Sequence, residues 1–119
     1  MTTHHESIGH AGELFARWPV TFDPPTRRIV DPPQPVIVSV SHALPGSPRT
    51  SLRDGTPLRV RAEGLSVDIK VQGTLSAWAR LANGAWLARV DFSVPTGNGK
   101  GHLDLHGQWV PSDAITPMR

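Results

Sequence analysis

The spacing of apolar residues changes character near Pro57. Beyond it, apolar and polar positions alternate, the signature of half-buried strands. Leu58, Val60 and Ala62 alternate with Arg59, Arg61 and Glu63, which predicts a first short strand. After Gly64 the odd positions Val67, Ile69, Val71, Gly73, Leu75, Ala77, Ala79 and Leu81 form one apolar face. A strand that long must bend, and Gly73 is the expected corner. Asn83-Gly84 is the strongest short hairpin signal in the chain. Trp86, Ala88, Val90, Phe92 and Val94 then form a matching face on even positions. A two-residue turn at Asn83-Gly84 sets Leu81 opposite Trp86, Ala79 opposite Ala88, Ala77 opposite Val90 and Leu75 opposite Phe92. Every inward pair is then apolar. The same register sends Trp78 outward, among Thr74, Ser76 and Arg80 and opposite Arg89.

The glycine-rich Pro95–Gly101 leads to Leu103 and Leu105, alternating with His102, Asp104 and His106, with Trp109 in phase with the leucines. Pro111 lacks a ladder donor, so pairing stops there. Ser112, Asp113 and Ala114 suit a single 3-10 turn. Ile115 returns one side chain to the interior, and Pro117 ends the pairing.

The first half reads differently. Nine of the twelve prolines fall within the first 57 residues. Ser7 suits the cap of a short helix carrying Ile8, Ala11, Leu14, Phe15 and Trp18, which Trp18-Pro19 ends. Residues 20–35 contain Asp-Pro-Pro twice, and restricted proline φ predicts an extended arm. Val36 to Ser41 predicts a strand, and residues 41–57 an irregular connection. The expected division is residues 1–56, a helix and arm with one strand, and residues 57–119, a small β-barrel.

A strand, Val-Pro-Ser-Asp-Ala and a short isoleucine strand, in that order, resemble the end of SH3-like barrels. The wider pattern, over residues 57–117, is similar to uncharacterised actinobacterial proteins with a terminal Trp-x-Pro-x-Asp motif. The resemblance implies an all-β, SH3-like (Tudor/KOW-like) barrel of five to six strands, here with a short N-terminal helix and proline-rich extended arm. An OB-type barrel is the competing architecture. The tyrosine-rich groove of peptide-binding SH3 domains does not transfer, because the chain has no tyrosine. Polyproline recognition is not expected.

Composition narrows the function more than it assigns it. At 119 residues the chain suits one domain. No apolar run is long enough for a transmembrane helix, and the first residues lack the pattern of a signal peptide, so no membrane association and a cytoplasmic location are expected. Absence of cysteine excludes disulfides and thiolate metal sites. A pI of 9.9 suggests nucleic-acid binding, yet the net charge is only +2. With no Cys or Tyr and two Lys, few groups titrate just above neutrality, so the isoelectric point drifts upward along a flat curve. Residues 1–64 hold seven basic and six acidic side chains, and residues 65–119 hold five and four. Neither half is a basic tail.

Trp78 is the most informative residue. Three roles are open to it: local cover stacked on Arg89, contact with a partner, or burial under the N-terminal segment. His102, Asp104 and His106 share a strand face, but the outer histidines are separated by about 13 Å at ~3.3 Å per residue. That span is too long for one metal ion. His4, His5, Glu6 and His10 miss the spacing of a zinc protease by one residue. Gly97 to Gly101 lacks the hydroxyl residue and following helix of a phosphate loop. Arg27-Arg28 reads as a solvated linker or a docking motif. No metal, cofactor or catalytic set is expected. The sequence therefore points to a non-enzymatic module binding a protein partner, or itself, through Trp78, Arg80, Leu87 and Arg89 on the outer hairpin face. Nucleic-acid contact by the same face with Arg59, Arg61 and Lys70, or a structural role in a phage or conjugation assembly, are the alternatives.

Overall fold

Period-two patterning after Gly64 yields a meander of antiparallel strands in the computed structural model, which describes residues 13–44 and 56–118. The strands are β1 (Arg27–Ser39), β2 (Lys70–Arg80), β3 (Trp86–Pro95), β4 (His102–Pro111) and β5 (Ile115–Pro117). Two short helices, α1 (Val40–Ala43) and α2 (Leu58–Glu63), lie between β1 and β2, and a 3-10 turn at Ser112–Ala114 joins β4 to β5. The sheet order is β4-β3-β2-β1-β5. The all-β expectation holds, but the sheet is not closed into a barrel: β4 and β5 are its two edges and do not pair among the described residues.

The core lies on the face where the sheet curls around α1 and the 3-10 turn. Val36, Val38, Val40 and Ala43 meet Leu75, Ala88, Val90, Phe92, Val94, Val110 and Ala114 there. Gly73, the expected corner, pairs regularly with Val36 and Phe92 and is instead a point of close approach. A Cβ on it would lie 2.8 Å from the Asp91 carbonyl oxygen and 2.9 Å from Val38 Cγ2, so only glycine permits this approach.

The proline-rich arm is part of the sheet. β1 begins at Arg27 and runs through Pro32, Pro33 and Pro35, well ahead of the expected start at Val36. Pairing with β2 jumps from Ile29↔Ala77 to Gln34↔Leu75, so Pro32 and Pro33 sit in a bulge where no ladder donor is required. The C-terminal end follows the sequence pattern: β4 stops at Pro111, Ser112–Ala114 makes the 3-10 turn and β5 ends at Pro117.

Leu58–Glu63 departs from expectation by forming a helix. Alternation fixes a strand only when a neighbour covers the apolar face, and here Leu58 and Val60 are 77% and 54% exposed. Leucine, arginine, alanine and glutamate are good helix formers, and Pro57 suits the helix start. The end of α2 docks on the β3–β4 turn, where Gly97 N–H donates to Gly64 O (2.8 Å) and Asn98 N–H to Ala62 O (2.7 Å). The predicted N-terminal helix starts outside the described residues. Within them, Glu13 and Leu14 are helical and Phe15–Arg17 form the turn that follows, with Trp18 N–H donating to Phe15 O.

Candidate interaction surface

The hairpin that carries Trp78 uses the Asn-Gly pair, but in a three-residue loop. Gly84 N–H donates to Leu81 O, Leu81 N–H donates to Ala85 O, and Gly84 takes a φ of +94°. Arg80 therefore faces Trp86, Ala79 faces Leu87, Trp78 faces Ala88 and Ala77 faces Arg89. This is one step away from the two-residue register. Ser76 is then an extra residue in β2, after which Leu75 faces Val90 and Gly73 faces Phe92.

One slip exchanges the two faces at this end of the sheet, because directly opposed residues project to the same side. Trp78 shares its row with Arg28, Ala88 and Val110. Ala88 and Val110 are buried, and Trp78 packs half-buried against the same core cluster. The outward placement of Trp78 is thus corrected. The opposite face carries the row Ile29, Ala77, Arg89 and Trp109. Trp109 is there rather than inside because Gly107, at a φ of +62°, bulges β4 and shifts its pairing with β3.

That opposite face is covered by the chain itself. Phe15 is buried, stands edge-on to Trp18 at 5.5 Å and lies 6.5 Å from Trp109. Arg27 is over the Phe15 ring at 5.3 Å and donates from Nε to the Trp18 carbonyl at 2.6 Å. Ala77 and Ala79 are buried on this side. Arg89 ties the two bulges together. Its Nη1 donates to Ser76 Oγ at 3.0 Å, and its guanidinium occupies the space that a Cβ at Gly107 would fill.

Among the described residues nothing covers the core-side face at the same end. Arg80 is over the Trp86 ring at 5.4 Å and donates from Nε to Gly84 O. Trp86 stands edge-on to Trp78 with ring centroids 6.3 Å apart. With Arg28 beside Trp78, the four side chains alternate as two cations and two indoles across three strands. Arg28 and Trp78 line a groove of about 440 Å³ between the β1 bulge and β5, together with Asp31, Pro32, Leu75, Ile115 and Pro117 among others, and Trp86 joins them and Ser112 around an adjacent cleft.

Of the expected partner contacts, Trp78 and Arg80 lie on this bare face, whereas Leu87 and Arg89 lie on the other. Arg59 and Arg61 are on α2 and Lys70 begins β2. Lys70 and Trp78 are separated by roughly 26 Å of strand at ~3.3 Å per residue. The structure does not gather the arginines and Lys70 with Trp78. His102 Nε2 lies 3.4 Å from Asp104 Oδ1. The Gly97–Gly101 tip is a self-bonded turn in which Asn98 Oδ1 accepts from Lys100 N–H and Thr96 Oγ1. Sequence reasoning missed Arg28, Trp86 and Ser112 as companions of Trp78. Trp86 immediately follows the turn, which was a usable signal, whereas Arg28 and Ser112 are brought in by long-range pairing alone. The chain matches no family model, no curated protein and no solved structure.

Proposed function

We propose that this protein is a non-enzymatic interaction module of SH3-like build that binds a protein partner. Support for the architecture comes from the meander β2-β3-β4, the 3-10 turn before the last strand, and β1 lying between β2 and β5. The contact surface is the Trp78–Trp86 face with its adjoining groove, in place of the whole outer hairpin face. One observation carries this reading. Two half-buried indoles stand edge-on to one another, each beside an arginine, and Trp78 with Arg28 lines a groove that the described residues leave open. Tryptophan and arginine are the residue types that dominate binding energy at protein interfaces.

A random-peptide library displayed against the intact chain tests the reading. Peptides that bind the protein and are lost from Trp86→Ala, with the variant's circular dichroism unchanged, are the expected result. Peptides retained equally by both proteins would refute this surface.

A further inference from the structure

The bare face has a chemistry that selects among protein ligands. We propose that it takes an extended peptide carrying an acidic side chain next to an apolar one, the carboxylate held by Arg28 and Arg80 and the apolar group seated in the groove. This rests on the protein-binding reading above.

Arg80 is already aimed: its contact with Trp86 and the bond from its Nε fix the stem and leave the terminal nitrogens for a ligand. Arg28, exposed on the neighbouring strand, makes no hydrogen bond or ion pair among the described residues. Both flank Trp78, Arg28 from the neighbouring strand and Arg80 from the next row of β2, so that the two are one row and one strand apart. Indoles beside a guanidinium exclude water, and charge-assisted hydrogen bonds to carboxylates strengthen under those conditions.

The groove itself argues for polypeptide over nucleic acid. Val36, Leu75, Ile115 and Pro117 give it an apolar wall suited to a side chain. Asp31 also lines the groove, which disfavours a run of phosphates through it and leaves the groove to the ligand's uncharged side chain. Arg59 and Arg61 lie on α2 and Lys70 begins β2, while Arg27 and Arg89 are committed on the opposite face, and the net charge is only +2.

The test selects random peptides on the intact chain and again on Arg28→Glu/Arg80→Glu. Both positions are exposed, and circular dichroism reports whether the double variant folds. If it does not, Arg28→Gln/Arg80→Gln serves instead. Aspartate and glutamate should be enriched on the native protein, with the enrichment lost on the glutamine variant and replaced by lysine and arginine on the glutamate variant. Neutralising the acidic residue of a selected peptide should weaken binding by about tenfold. Peptides that bind at Trp86 without acidic bias, or with a bias that survives both variants, would overturn the ligand class and leave the protein-binding reading standing. Failure to enrich any peptide above the Trp86→Ala background would overturn that reading as well. An oligothymidylate that displaces selected peptides and weakens steeply with salt would assign the face to nucleic acid and overturn the proposal.

Discussion

The two faces at the hairpin end of the sheet are built from the same residue types and meet opposite fates. One carries Phe15, Trp18, Trp109, Arg27 and Arg89 and is covered by the chain's own N-terminal segment. The other carries Trp78, Trp86, Arg28 and Arg80 and opens onto a groove. Aromatic-plus-arginine composition therefore does not distinguish a structural cluster from a contact surface. What distinguishes them is whether the arginine is used up. Arg27 and Arg89 donate to Trp18 O and Ser76 Oγ, which fixes the N-terminal segment and the bulge. Arg28 has no such partner among the described residues, and Arg80 commits only its Nε.

Breaking the frame common to both faces should have the largest effect. Gly73→Val drives a side chain into the Asp91 carbonyl and Val38, and should cost about 3 kcal/mol or more, read as a lowered midpoint in urea. Phe15→Ala uncovers one face only and should cost about 3 kcal/mol, whereas Trp86→Ala on the open face should cost about 1 kcal/mol; the same urea titrations measure both. Equal losses would erase the distinction between the faces. Gly107→Ala places a Cβ on a residue at positive φ and against the Arg89 guanidinium, with an expected cost of about 2 kcal/mol by thermal unfolding. Ser76→Ala removes one anchor of Arg89 and should lower stability by about 1 kcal/mol, again by thermal unfolding.

Much of this architecture was legible in the residue pattern, and the exceptions share a cause. Pro111, the small residues after it and Ile115 encode the end of β4, the 3-10 turn and β5 locally, because each rests on a missing donor or a turn preference. Gly73 stood out as special within its strand, though as a close approach and not as a corner. Bulges are different. Ser76 and Gly107 are each one extra residue in an otherwise regular alternation, and only the pairing across strands reveals them. Without them, Trp78 and Trp109 are each assigned to the wrong side. Alternation failed at Leu58–Glu63 because no strand lies alongside to reward it. The candidate site was legible only in part: Trp78 and Arg80 stand out within their own strand, while Arg28 and Ser112 reach it through β1 and the 3-10 turn.

Every functional statement depends on which side of the sheet bears the Trp78 indole, and proton NMR in solution reads this directly. Cross-strand backbone NOEs should join Trp78 to Ala88, and its indole should show NOEs to Trp86 and none to Phe15 or Trp18. Backbone NOEs joining Trp78 to Arg89, with indole contacts to Phe15, would contradict the account.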